Sequence, residues 1–230
     1  MPTSLTDNRA ARDAILGRVR KALSTTGDQA TARANAQDYI AGHAQGPRPR
    51  MPDDLVARFI QRAADMESTI ERIADANAIP RAVARYLDAL ELPAALAAQK
   101  SHAGVCWPEF AALDWAGNGL QIEARPTQGD DLLGITGCFC AIAETGTLVV
   151  VPGADTPTAT TLLPATHIAV VRADRIVSGM EESFALIRRE RAVMPRAINH
   201  ISGPSRTGDI EQTIVVGAHG PFRVHILVLG

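Results

Sequence analysis

Cys138-Phe-Cys-Ala-Ile-Ala-Glu-Thr-Gly-Thr-Leu-Val-Val-Val151 holds two short apolar runs around a polar turn. Cys138 to Ala143 and Thr147 to Val151 are rich in small and β-branched residues, and Glu144-Thr145-Gly146 separates them. Runs of this length bounded by turn residues read as buried strands. His167 to Val171, Ala197 to Ile201 and Arg223 to Leu229 repeat the pattern. A helix is expected over Glu181 to Arg191, with Phe184, Ile187 and Arg188 on one side. Continuous apolar strands alternating with helices imply an α/β sheet covered on both faces.

Upstream, Asp53 or Asp54 is placed to cap a helix carrying Leu55, Phe59, Ile60 and Ala63. Thr69 to Ile73 reads as a strand, and so does Leu120 to Glu123. Pro80 suits a helix start, followed by Val83, Tyr86, Leu87 and Leu90 at helical spacing. Asp7 to Leu23 carries a stripe of Ile15, Val19 and Leu23. Gly27 to Arg50 is polar, poor in large apolar residues, and reads as a linker. The expected division is an N-terminal arm over 1–50 and an α/β domain over 51–230.

Of the 230 residues, 46% are hydrophobic, enough for a substantial core, but only 4% are aromatic. The filling must therefore come from Ala, Val, Leu and Ile. A net charge of -2 offers no electrostatic reason for nucleic acid or an anionic membrane as the main partner. No apolar run approaches a membrane span, and the polar N-terminus lacks a signal-peptide core. Three cysteines, Cys106, Cys138 and Cys140, argue against a disulfide framework and suit a reducing compartment; a cytoplasmic location is expected. They are too few for an iron–sulfur cluster held by cysteine alone. In a strand Cys138 and Cys140 would face one side, where two buried small side chains are the preferred reading.

Three polar runs carry the chemistry. Glu144 closes a buried strand, so its carboxylate must be hydrated, paired or hydrogen-bonded. Gly146 permits a sharp reversal, and Thr145 and Thr147 supply hydroxyls. The competing reading is a plain hairpin with Glu144 in water. In Ser202-Gly-Pro-Ser-Arg-Thr-Gly-Asp-Ile-Glu211, Gly203 and Pro204 set a turn, while Ser202, Ser205 and Thr207 offer hydroxyls. Arg206 supplies a fork suited to a carboxylate or phosphate. Asp209 is placed to cap a short helix with Gln212 at its third position. The competing reading pairs Arg206 internally with Asp209 or Glu211. In Gly217-Ala-His-Gly-Pro221, His219 sits on a turn just before a strand, where it is a base, a ligand or merely exposed. His167, at the head of an apolar strand, reads as structural. His200, His219 and His225 lack a zinc-binding spacing, so no metal site is expected. Dinucleotide, phosphate-loop and serine-hydrolase signatures are absent from the sequence.

At these residues the chain resembles the lactate-utilisation protein C family of LUD proteins. The matching stretches are Ala141-Ile-Ala-Glu-Thr-Gly-Thr-Leu148, His167-Ile-Ala-Val-Val171, Ser202 to Glu211, and Gly217 to Pro221. The resemblance implies a three-layer α/β/α sandwich of the ribose-phosphate isomerase, glucosamine-phosphate deaminase and CoA-transferase type. It also implies an accessory component of a system that oxidises L-lactate to pyruvate. The iron–sulfur clusters of such a system belong to partner proteins, and no redox cofactor is expected in this chain. Under that reading Ser205, Arg206 and Thr207 hold a small organic anion, and Glu144 faces the same crevice as an acid/base or orienting group. Asp209 and His219 support it or handle protons. Thr145, Gly146, Thr147, Ser202, Gly203, Pro204, Glu211 and Gly220 complete the expected binding surface. Two alternatives stand beside it: a free-standing isomerase or acyl-transferase acting through Glu144, and a purely structural assembly subunit. Two departures from the family pattern are Gly208, where Ala is expected, and the thiols of Cys138 and Cys140.

Overall fold

A computed structural model describes residues 5–23, 28–42, 46–92, 101–210 and 212–230. The chain divides into two units, Met1–Arg48 and Pro49–Gly230. The first contains α1 (Leu5–Leu23) and α2 (Gln29–Gly42). In α1, Ile15, Val19 and Leu23 are all exposed. The linker expected over Gly27 to Arg50 is largely the helix α2. The segment is rich in Ala, the best helix former, and Asp28 accepts a hydrogen bond from the Ala30 N–H at 2.9 Å. Lack of large apolar residues weakened the helical signal without removing helical propensity.

The second unit is built on a six-stranded sheet. Its members are β1 (Thr69–Ile73), β2 (Ala103–Cys106), β3 (Gln121–Ala124), β4 (Leu133–Thr136), β7 (Thr166–Arg172) and β12 (Arg223–Leu229). The spatial order is β1-β12-β7-β4-β2-β3, and every neighbouring pair is parallel. Parallel strands need both faces covered. Accordingly six consecutive residues of β7 and five of β12 are buried. On one face Ile168, Val170 and Leu227 pack in a cluster with Ile79, Val83 and Leu87 of α4 (Ile79–Asp88). On the other, Ala169, Val171, Val224 and Ile226 pack with Phe59 and Ala63 of α3 (Leu55–Asp65). Asp54 caps α3, its carboxylate accepting from the Ala57 N–H at 2.9 Å. The α/β class and the covered central sheet are as the sequence implies.

A second, four-stranded sheet widens the sandwich. It joins β5 (Cys140–Ile142), β6 (Thr147–Val150), β8 (Ile176–Val177) and β9 (Asn199–Ile201) in the order β8-β5-β6-β9. Ala141, Ala143 and Leu148 face the central sheet, whereas Cys140, Ile142 and Val149 meet Leu186 and Ile187 of α6 (Met180–Glu190). The alternation is the two-residue period of a strand. Cys138 lies before β5, outside any strand, and packs among the clusters on the central-sheet side, so the two thiols do not share one face. The strand rule fails there because residue 138 lacks strand geometry. A short helix, α5 (Ala159–Leu162), precedes β7.

The Asp209-capped helix does not form. Arg206–Ile210 is strand β10, paired antiparallel with β11 (Thr213–Val216). Local cap residues lost to a run of β-branched side chains, Ile210 and Thr213 to Val216, which favours a ladder.

Two histidines are buried in the central sheet. His167 Nε2 pairs with the Thr136 hydroxyl at 2.8 Å, and His225 Nδ1 with the Thr69 hydroxyl at 2.8 Å. Burial pulls both down from the usual imidazole range to about 4. The unfolded chain therefore takes up protons near pH 6.5 that the folded chain refuses, so stability is full above that pH and falls as pH drops towards 4. At pH 5 the loss should be on the order of 2 kcal/mol for each imidazole. Urea unfolding at pH 7.5 and pH 5 measures it, and His167→Gln should flatten the dependence; an equally steep dependence in that variant would remove His167 from the account.

Candidate functional site

Two of the three polar runs meet at the C-terminal end of α3, and the third is tied to the second. Gly146 adopts φ 69°, and a Cβ there would stand 2.3 Å from the Ala63 nitrogen. Gly203 adopts φ 74°, and its Cβ would stand 1.9 Å from the Met66 carbonyl oxygen. Both turns therefore press backbone to backbone on the same helix end, which only glycine allows. A hydroxyl chain links them: Thr145 to Thr147 at 2.7 Å, and Thr147 to Ser202 at 2.7 Å. The second and third runs are joined through the backbone. The Ser205 N–H donates to Pro221 at 2.9 Å, and the Gly217 N–H donates to Ser205 at 2.8 Å. Gly220 packs on the Ser205 side chain.

Arg206 closes the arrangement. Its Nη1 donates to Glu67 Oε1 at 3.0 Å and its Nη2 to the Met66 carbonyl at 3.0 Å. A cation at a helix C-terminus is favoured by the dipole and by the orphan carbonyls. Glu67 holds φ 64°, unusual for a residue with a side chain. Its N–H donates to Ala64, and the Ser68 N–H donates to Ala63, the paired bonds of a helix stop that normally uses glycine. Arg206 thus pairs internally, with Glu67 as its acid rather than Asp209.

Not every expected residue joins this cluster. Glu144 is half-buried in the turn after β5, with its N–H bonded to the Ser178 carbonyl at 3.0 Å. Asp209 and His219 are exposed, and Thr207 lies in β10. Glu211 lies outside the described residues.

Below the joined loops, at the amino ends of β1 and β12, is a cavity of about 530 Å³. Pro204 and Val216 border it from the second and third runs, together with Phe222. Leu90, Val224 and the ring of Tyr86 make it largely apolar, and Glu67, Thr69 and Arg223 bring polar atoms to it. A mostly apolar hollow with a few converging polar groups is the usual form of a small-molecule site. Glu144, Arg206, Asp209 and His219 do not line it.

The strand register puts Thr69 beside His225, and Tyr86 stacks on that imidazole with centroids 4.1 Å apart. Burial raises the Tyr86 phenol, opposed by its hydrogen bond to Thr69. Arg223 donates from Nε and Nη2 to the Thr166 hydroxyl at 3.1 and 3.0 Å, and burial lowers its pKa. A guanidinium held partly out of water attracts an anion more strongly than one in bulk solvent. Thr69, Tyr86 and Arg223 escaped the sequence reading because each occupies an ordinary strand-start or helix position. The one signal was an Arg opening an apolar strand directly after Phe222.

The thiols are structural in character. Burial pushes Cys106 and Cys140 up to about 11, and Cys138 higher still, so all three remain protonated near neutral pH. Among the described residues no cluster of three or more His, Cys, Asp or Glu is placed to hold a metal, and no helix is long and apolar enough to cross a membrane.

Three substitutions test the helix-end assembly. Gly146→Ala should cost about 2 kcal/mol or more, since αL strain adds to a backbone clash. Glu67→Ala breaks the Arg206 pair, which is largely solvent-screened, and should cost about 0.5–1 kcal/mol. Glu67→Gly breaks the same pair but releases about 1 kcal/mol of αL strain, leaving stability near wild type. Equal losses in the two Glu67 variants would show that the positive φ stores no strain.

Residues 57–229 match the model of the LUD domain. A Lactate utilization protein C of Deinococcus radiodurans is 32% identical over 223 residues, covering 90% of this chain and 100% of that protein. Proteins of the same name from Bacillus licheniformis and Bacillus subtilis are each 35% identical, over 129 and 127 residues. This chain spans about half the length of those two Bacillus relatives, 53% of each. A solved structure of a DUF162 family protein from Deinococcus radiodurans superposes with a TM-score of 0.52 at 25% identity, covering 79% of this chain and 100% of that one. With the family model spanning most of the chain and a relative aligned along its whole length, the chain belongs to the LUD domain family.

Proposed function

We propose that the protein is a component of a lactate-utilisation system, and that it holds a small organic anion in the cavity beneath the joined loops. The name shared by its relatives supports the first part. The second part rests on one observation: Arg223 brings a partly buried guanidinium to a hollow that is otherwise mostly apolar. A short carboxylic acid satisfies both features, its carboxylate on the guanidinium and its carbon skeleton against Phe222, Val224 and Tyr86. L-Lactate and pyruvate are the ligands of first choice.

Arg206 acts at one remove in this reading. By holding Glu67 it neutralises a carboxylate on the cavity lining that would otherwise repel an anion. The hydroxyl chain of Thr145, Thr147 and Ser202 keeps the loops in place. Oxidation of lactate itself is assigned to iron–sulfur partner proteins, with this chain as the accessory component.

Calorimetric titration of the purified chain with L-lactate and pyruvate tests the ligand. Arg223→Gln should weaken binding in this cavity at least tenfold, seen as the loss of one class of sites, and Arg206→Ala should weaken it by a smaller factor through the released Glu67 charge. Melting curves of each variant separate lost binding from lost folding. An isotherm unchanged in both stoichiometry and strength in a folded Arg223→Gln protein would end the assignment. Co-purification with iron–sulfur subunits tests the partner half, independently of the ligand.

A further inference from the structure

The central sheet has a second open end. Beyond the carboxyl ends of β2, β4 and β7 lies another cavity, of about 500 Å³. Trp107 follows β2, Cys138 follows β4, and both line it. Open parallel sheets commonly bind ligands at this edge, where the connections leave the strands and open a crevice.

At and beyond the end of β7 the wall holds Arg172, Arg175 and Arg191 against Asp174 and Glu190. Arg172 is engaged by Asp174 at 3.0 and 2.7 Å, and Asp155 and Glu109 lie elsewhere on the lining. Arg175 is fixed on three sides. Its Nε donates to the Phe139 carbonyl at 3.0 Å, and its fork grips Glu190 at 2.7 and 2.9 Å. Its guanidinium also lies 4.8 Å from the Phe139 ring centroid. Arg191 lies 5.6 Å from the same ring and forms no ion pair among the described residues. Two guanidinium groups thus flank one aromatic ring, and of the two only Arg175 is paired with Glu190.

On the side of β2 and β4, the Glu109 carboxyl is set against the backbone of Gly137. A Cβ at Gly137 would stand 2.3 Å from Glu109 Oε1, so the bare glycine makes room for that group. Burial raises the Glu109 pKa, and the Gly137 N–H opposes the rise. A carboxyl oxygen accepts a hydrogen bond from a hydroxyl, and the bare Gly137 leaves the Glu109 carboxyl room to do so.

We propose that this cavity is a second ligand site, for a small oxyanion that also carries a hydroxyl group: Arg191 receives the carboxylate or phosphate, and Glu109 hydrogen-bonds the hydroxyl. This cavity lies at the opposite ends of the strands from the first and shares no lining residue with it.

The test is calorimetric titration of the full chain in an Arg223→Gln background, which silences the first cavity. The probes are L-lactate, propionate (the same carboxylate without the hydroxyl) and inorganic phosphate. Saturable L-lactate binding is expected to survive, to exceed that of propionate several-fold, and to fall at least tenfold on adding Arg191→Gln. Arg191→Lys, which keeps the charge but loses the fork, should recover part of it. Phosphate binding that outcompetes lactate and depends equally on Arg191 would uphold the oxyanion site and name phosphate as its source. No saturable binding of any probe in the folded Arg223→Gln protein, or binding indifferent to Arg191, would overturn the proposal. Equal affinity for lactate and propionate would overturn the role given to Glu109.

Discussion

The last turn of α3 is the point on which the described site depends. Two loops approach it with no side chain between, at Gly146 and Gly203, and an arginine from a third element donates to the Met66 carbonyl at its end. Close backbone approach is unforgiving, because a single Cβ would overlap backbone atoms that cannot move independently. It fixes where the hairpin after β5 and the loop after β9 must lie. Once they are fixed, Ser205 ties in the loop before β12, and the amino ends of β1 and β12 acquire a roof.

The helix itself is placed by the sheet. β7 and β12 are apolar on both sides and have to be covered on both, by α4 on one and by α3 with the smaller sheet on the other. The same burial that holds these layers together shapes the electrostatics. It keeps His167 and His225 neutral, raises the cysteines and Tyr86, and lowers Arg223. The cavity under the loops therefore combines apolar walls with a cation whose field is weakly screened. The opposite edge of the sheet gathers a different set, in which Phe139 is flanked by two guanidinium groups and Glu109 sits on Gly137.

Much of the architecture was legible along the chain. Apolar runs at 140–142, 147–150, 166–172 and 223–229 are strands, and Asp54 caps its helix as its position suggests. Where local signals misled, a competing local or non-local term was stronger. Alanine content made a helix of 29–42 despite its lack of an apolar face, and strand pairing overrode the cap signal at Asp209. Gly146 and Gly203 form turns, as their places in the polar runs imply. Their tighter requirement, room for a helix end more than fifty residues away in sequence, has no local signature.

Sequence alone determined the α/β class, the longer apolar strands, and the runs that hold the loops together, because period, composition and glycine placement act over a few neighbouring residues. Tertiary structure alone decided which residues line the cavity beneath the loops. Arg206, the most suggestive side chain in the sequence, is spent on Glu67 and a helix terminus. Arg223, Tyr86 and Thr69, unremarked as single letters, converge because parallel pairing of β1 with β12 sets Thr69 beside His225 and packing of α4 lays Tyr86 over that ring. Convergence of groups separated by more than a hundred residues depends on strand order and register, which no local pattern encodes.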